Sequence, residues 1–337
     1  MRANGYQTAA IQCLTLTFAV MVHGEMGVVR TGPVTLVQVD PHHEHTVLAA
    51  TATAQLFRSR DEGDTWSPIP FPGSLRSNVH AMLIDRTTAN EYLVAASSDE
   101  LQYAGIFRTM DEGVTWEPLP GMERKQVWAL ASWAGDPRVI AAGAQDGVFL
   151  SRDGGENWTH LSSPRTRGPQ PVVSLAFDPK DSKTLYAGTP HLAWKTADGG
   201  TTWHRLPTGM QDDSDVFSID VHEKYRSRLF AGACSGIYRS LNGGGTWTSL
   251  EHAIGGQHRT YVITRAPRNP EVVFAGTSIG LIQSPDGGTT WRKLSEGPAR
   301  SIAFDPADPQ RIFVATDGGI LRSDDSGVHF RETNPAR

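Results

Sequence analysis

Several side-chain groupings in this 337-residue chain have the composition of reactive sites. Asp99, Glu100, Asp146, Asp213, Asp215 and Asp317 stand in or beside Gly-containing or Ser-containing turn sequences. Two such acids about 5–5.5 Å apart suit retaining glycoside hydrolysis, and about 6.5–9.5 Å suits inversion. Sequence does not supply that distance, and each acid also reads as a turn residue. "GTSIG" (276–280) has the G-x-S-x-G form of a nucleophile elbow, which would make Ser278 the nucleophile. "DPHHEHT" (40–46) offers His42, His43, Glu44 and His45, residue types that bind zinc. Arg259 and Arg300 carry the planar fork that grips a carboxylate at two points. The most frequent candidate is a carboxylate in a Gly-rich box: Asp286 in "SPDGGTTW" (284–291).

The context of that box decides how to read the rest. It recurs as "SRDEGDTW" (59–66), "TMDEGVTW" (109–116), "SRDGGENW" (151–158), "TADGGTTW" (196–203), "SLNGGGTW" (240–247) and the weaker "SDDSGVHF" (323–330). The closing aromatics are Trp66, Trp116, Trp158, Trp203, Trp247, Trp291 and Phe330, spaced 50, 42, 45, 44, 44 and 39 residues apart. A period in this range marks a repeat architecture. In unit four, "VVSLAFD", "TLYAGT", "LAWKTA" and "TTWHRLP" read as four short strands split by turns, and the other units follow the same plan. The expected fold is therefore all-β, a seven-bladed β-propeller with four antiparallel strands per blade. No helical pattern is expected after the N-terminal segment.

Within that fold the elbow and the His-rich turn lose their chemistry. "GTSIG" falls in a hairpin after a second strand, not in a strand-to-helix turn. "DPHHEHT" aligns with the turns "DPKDSK" and "DPADPQ", and neighbours on one short turn rarely converge on a metal. The boxes fall between third and fourth strands. There Asp61, Asp111, Asp153, Asp198, Asp286 and Asp325 are expected to accept backbone N–H bonds, with Asn242 accepting the same bonds. The indoles of Trp66, Trp116, Trp158, Trp203, Trp247 and Trp291 are expected to wedge between sheets. No metal site and no cofactor are expected.

The boxes resemble the Asp-box, or BNR, repeat with consensus S-x-D-x-G-x-T-W. The resemblance covers about 300 residues from Val34 onward. It implies the propeller strongly and a function weakly, because Asp-box propellers include sialidases, xyloglucan-active glycosidases, sortilin-type receptor ectodomains and a photosystem II assembly factor. The last is nearest in length and blade count, alongside bacterial BNR-repeat glycosyl hydrolase-like proteins. The Arg-Ile-Pro signature of sialidases is missing, and those enzymes have six blades. Xyloglucan-type enzymes place their cleft between two propellers, and this chain has room for one.

The loops carry the functional expectation. "SSDELQYAG" (97–105), "GMERKQVW" (121–128), "SSPRTRGPQP" (162–171), "GMQDDSDVF" (209–217) and "AIGGQHRTY" (253–261) are extended, and topology places them on one face. Tyr103, Trp128, Arg165, Arg167, His258 and Tyr261 are expected to rim a funnel there, with Asp213, Asp215, Arg259 and Arg300 as further candidates. This predicts a non-catalytic binding or assembly scaffold for a protein or glycan partner. The alternative is a glycoside hydrolase with a carboxylate pair at the channel mouth. A net charge of −5 with scattered Lys and Arg gives no expectation of nucleic acid. Two cysteines, Cys13 and Cys234, exclude a disulfide framework. Residues 1–24 read as a possible signal peptide, with 25–337 as one propeller. The expectation is a secreted or periplasmic monomer without an integral membrane segment, cytoplasmic if that segment is not a signal.

Overall fold

The computed structural model describes residues 32–162, 168–211 and 214–333. The signal-peptide reading, Arg165, Arg167 and Asp213 therefore lie outside the described residues. Seven four-stranded antiparallel sheets follow one another, each built from consecutive strands. The first strands are Val34–Val39, Asn78–Ile84, Val127–Trp133, Ser174–Asp178, Val216–Val221, Thr260–Ala266 and Ala299–Phe304. Each contacts the first strand of the next blade, and blade seven's contacts blade one's, so the sheets close into a ring around an axis.

Second strands are Val/Leu/Ala-rich and buried on both faces; Val47–Thr51, Leu229–Ala233 and Ile312–Thr316 are buried at every residue. Their alanines keep them thin where adjacent sheets approach closely. Outer strands are cut to two or three residues, such as Glu117–Pro118 and His204–Arg205, which leaves little unpaired edge. The sequence pattern suggested longer ones, but the box tryptophan precedes the strand instead of belonging to it. Two one-turn helices, Leu101–Tyr103 and Glu251–Ile254, also depart from the expected absence of helix. A single turn is too short to leave a 3.6-residue pattern.

Each hydrophobic cluster spans a seam between two blades. Trp203 packs with Leu150, Leu161 and Leu185 from blades three and four, and Trp247 packs with Tyr186, Leu206 and Leu229 from blades four and five. The box aromatic thus faces the preceding blade. A second seam contact recurs three residues after each aromatic. Ile69, Leu119, Leu161, Leu206, Leu250 and Leu294 abut a glycine of the next box. Gly288 shows why that residue is glycine: its φ is +87°, and an added Cβ would stand 2.9 Å from the Phe230 ring.

A third seam device is a long side chain on the third strand that reaches a carbonyl in the next box. Arg58 donates to Glu112 O (3.1 Å), Lys195 to Gly243 O (3.4 Å), Arg239 to Gly287 O (3.0 Å) and Gln283 to Ser326 O (3.4 Å). Ring closure uses the same device. Arg322 of blade seven donates to Glu62 O (2.9 Å) in blade one. Its guanidinium and that of Arg311 both grip the Glu62 carboxylate, at 2.5 and 2.7 Å. Thr333 takes the place of the recurrent leucine and lies 3.1 Å from Trp66 Nε1. Among the described residues no strand is exchanged between the first and last blades, and these side chains span the seam.

Candidate functional site

Box carboxylates are fully used in holding their own hairpins. Asp286 Oδ1 accepts the Ser284 hydroxyl (2.9 Å) and the Thr290 N–H (2.8 Å), and Oδ2 accepts the Thr290 hydroxyl (2.7 Å). Ser284 Oγ in turn accepts the Gly288 N–H at 2.8 Å. The Thr290 N–H and then its hydroxyl hold the Asp286 carboxyl down to about 2. Asp111 and Asp198 are lowered to about 2 first by the Thr115 and Thr202 hydroxyls, Asp153 by the Asn157 side chain and Asp325 by the His329 N–H. A carboxylate so tightly bonded is a poor proton carrier near neutrality. Asn242 departs from the expectation in one respect. Its Oδ1 accepts from Ser240 (3.0 Å) and Thr246 N–H (2.8 Å), but its Nδ2 donates to the Thr246 hydroxyl (2.6 Å), reversing one bond.

The His-rich turn disperses. His42 Nε2 lies 2.9 Å from Asp85 O, His43 Nδ1 3.1 Å from Asp40 and His45 Nδ1 2.5 Å from Glu62. Three imidazoles with three separate partners do not form one coordination sphere. Ser278 sits in a β-hairpin, its N–H bonded to Arg259 O at 2.8 Å.

The opposite end of the blades is organised differently. Crossovers between blades pair with hairpins after second strands: Leu75 N–H with Thr53 O (2.8 Å), Arg124 with Ala104 (2.9 Å) and Ser278 with Arg259. There six of the seven first strands begin with a β-bulge. Val216 pairs with Ala233 and Ser218 with Gly232, leaving Phe217 extra. The same shift isolates Thr35, His80, Trp128, Tyr261 and Arg300. Val173 occupies the matching position in blade four, between Val172, bonded to Ala144 O, and Ser174, paired with Gly188. A bulge re-aims the extra side chain out of the sheet. All seven are half-buried, and together they form a collar at one end of the axis.

From blade five to blade seven this collar is aromatic and cationic. The Phe217 and Tyr261 rings lie 6.4 Å apart, Arg259 stands 5.4 Å over Phe217 and Arg300 stands 5.0 Å over Tyr261. Arg300 Nε also meets Asp317 Oδ1 at 2.6 Å. Asp215 lies in the same sector; burial pushes its carboxyl up, while Arg259 and His191 pull it back. His258, half-buried, precedes Arg259, and its carbonyl accepts the Thr260 hydroxyl at 3.2 Å.

From blade one to blade three the collar borders a cleft of about 610 Å³, lined by Asn78, Asp99, Glu100, Gln126, Trp128 and Gln145 among others. Tyr103 stands beside it under Arg76, at 5.4 Å. Burial holds His80 neutral by pushing it down to about 4, and its Nε2 lies 2.6 Å from Ser97 Oγ.

The described sequence candidates thus divide into two groups. Asp215, His258, Arg259, Tyr261 and Arg300 gather on blades five to seven, and Tyr103 and Trp128 stand on blades two and three. Sequence reasoning missed Thr35, His80, Val173 and Phe217. Stacking the first strands, VTLVQV, VHAMLI, VWALAS, VVSLAF, VFSIDV, TYVITR and ARSIAF, puts all seven collar residues in the second column. That column varies from polar to aromatic to basic, whereas the fourth column is apolar in all seven strands.

No family model and no curated protein matches the sequence. Solved structures do match the fold. The GH74 xyloglucanase from Xanthomonas campestris aligns with a TM-score of 0.71 and 19% identity, over 88% of this chain and 52% of that one. YCF48 from Cyanidioschyzon merolae aligns at 0.64 and 17%, over 88% and 97%; YCF48 bound to D1 peptide aligns at 0.63 and 19%, over 87% and 93%. The extracellular domain of a putative one-component system from B. thetaiotaomicron aligns at 0.70 and 15%, over 88% and 38%. This chain spans about half the length of the GH74 structures. Among the described residues no helix is long and apolar enough to cross a membrane. The chain is a seven-bladed, all-β propeller similar to those of GH74 enzymes and YCF48.

Proposed function

We propose that this chain is a non-catalytic binding propeller of the Asp-box type that recognises a macromolecular partner through its collar. One observation carries the reading. Six bulges at one register, with Val173 at the matching place in blade four, give a ring of seven different side chains, while the box end stays repetitive and bonded to itself. The blade five to seven sector, with Phe217, Tyr261, Arg259 and Arg300, has the aromatic and arginine composition of an interface anchor. That one similar structure is YCF48 bound to a D1 peptide supports a peptide as the kind of partner a propeller of this length accepts. The test is a photo-crosslinking residue placed at Tyr261, compared with one at Val114 on a box hairpin. A discrete adduct from position 261 with none from 114 is the expected result. Adducts from 114 instead, or equal labelling at both, would remove the collar from consideration.

A second reading, a glycoside hydrolase, draws on one specific feature: burial raises the Asp215 carboxyl, as a general acid requires. Asp317, on blade seven, is paired with Arg300. Hydrolysis of a plant β-glucan that disappears in Asp215→Asn would establish it.

A further inference from the structure

We propose that the cleft between blades one, two and three receives a basic side chain from an extended segment of a protein partner, flanked in that segment by an apolar residue. The proposal rests on the collar reading and specifies the chemistry of its other half. Asp99 is exposed, lines the cleft and has no ion pair among the described residues. Glu100 beside it is engaged by Arg76, at 3.4 Å, and that guanidinium is itself placed over the Tyr103 ring. The cleft lining therefore holds two carboxylates against one committed cation and presents a negative site to an incoming charge. Trp128, extruded by its bulge, adds a π-face to the same lining, a partner for a cation desolvated in a cleft.

The rim of the cleft supplies the apolar part. Leu75 is 69% exposed and Leu101 50%, on the loops that flank the opening. Leu75 is also held in the left-handed region, φ +62°, by the bond from its N–H to Thr53 O. A residue with a Cβ is disfavoured in that conformation, and the leucine held there is exposed. The side-chain amides of Asn78 and Gln145 line the cleft and suit peptide carbonyl and N–H groups. The opposite sector, with Arg259 and Arg300, would repel a basic residue, so charge alone sets which half of the collar takes it.

The probe is a fluorescent, terminally blocked pentapeptide, Ala-Leu-Arg-Leu-Ala, compared with its Glu-centred counterpart by polarisation at low salt. With the full chain the Arg peptide should bind at least about tenfold more tightly than the Glu peptide. Asp99→Asn and Trp128→Ala should each weaken the Arg peptide several-fold, and Val114→Ala on a box hairpin should not. Equal binding of the two peptides, or no effect of Asp99→Asn, overturns the proposal. So does binding of a neutral oligosaccharide in this cleft in competition with the peptide. Circular dichroism of Trp128→Ala keeps a folding defect from counting. If that variant unfolds, Asp99→Asn decides the matter by itself, since it alters only an exposed side chain. Should the cleft fail while crosslinking from position 261 persists, the collar reading stands and only its chemistry on this side is lost.

Discussion

The two ends of every blade are made by the same chain at the same period, and they behave in opposite ways. At the box end the carboxylate, hydroxyl, glycine and aromatic recur, and their bonding groups point at one another or at the neighbouring blade. At the collar end the backbone device recurs, a bulge at the start of six of the seven first strands, but the side chain at that register is Thr35, His80, Trp128, Val173, Phe217, Tyr261 or Arg300. Sevenfold repetition of a side chain is what a ring needs to close evenly. Seven different side chains at one register are of no use to closure and give a surface its identity. The comparison predicts that damage at the box end is read in stability, and damage at the collar end in binding.

The largest effect belongs to Trp203→Ala. This indole is 8% exposed, sits in the seam of blades three and four, and its Nε1 lies 3.3 Å from Leu161 O. Removing it should cost about 3–5 kcal/mol in chemical denaturation. A loss below about 1 kcal/mol would mean that the box end does not hold the ring.

Next comes Glu62→Gln. The Glu62 carboxylate joins Arg311 and Arg322 of blade seven and His45 of its own blade, and these outweigh burial in keeping its pKa low. Gln keeps one acceptor and loses the charge, for an expected cost of about 1.5–3 kcal/mol. Hydrogen exchange should show the loss first in blades one and seven, because no crossover of the chain links those two blades directly. Uniform loss around the ring would show that closure is not its weak point.

Acid should also separate the two ends. The carboxyls of Asp111, Asp153, Asp198, Asp286 and Asp325 are lowered to about 2 in the fold. A folded value below the unfolded one, about 3.9, adds stability that is complete above pH 4 and lost as pH falls through 2. Thermal unfolding followed from pH 5 to pH 2 should therefore show a falling midpoint. In Asp286→Asn that fall should be shallower, since Asn cannot protonate and Asn242 already fills the position in blade five. An unchanged slope would show that the boxes contribute nothing to acid sensitivity.

How much of this is legible in the sequence follows from the same contrast. The blade count and strand order are legible because seven copies of the box fix the period. The hairpin role of Asp286 is legible because only a turn tolerates Asn242 in place of Asp. The direction of the seam packing is not, although its signals are present: Leu or Ile three residues after the aromatic, and Arg, Lys or Gln just before the box Ser or Thr. The collar is legible in part. Trp128, Tyr261 and Arg300 stand out by residue type, whereas Thr35 and Val173 are ordinary residues that only their register makes special. A bulge adds one residue without changing composition, so it becomes visible only when the strands are stacked in register. The single rim expected for Tyr103, Trp128, His258 and Tyr261 is divided by blade order into two sectors.

The smallest stability effect is expected where the binding effect is greatest. Tyr261→Ala and Arg300→Ala both remove half-buried collar side chains; Arg300 stands over Tyr261 and meets Asp317, and the Tyr261 ring lies 6.4 Å from Phe217. An ion pair this exposed contributes about 0–1 kcal/mol, so each variant should unfold within about 1 kcal/mol of the parent. The Arg300→Ala change should leave Asp317 without its guanidinium and make this sector more acidic. Partner capture from the blade five to seven side should then fall steeply, while the Asp99 cleft keeps its preference for a basic peptide. If both variants instead lost several kcal/mol, the collar would be another seam, and its variety of residues would need a packing explanation.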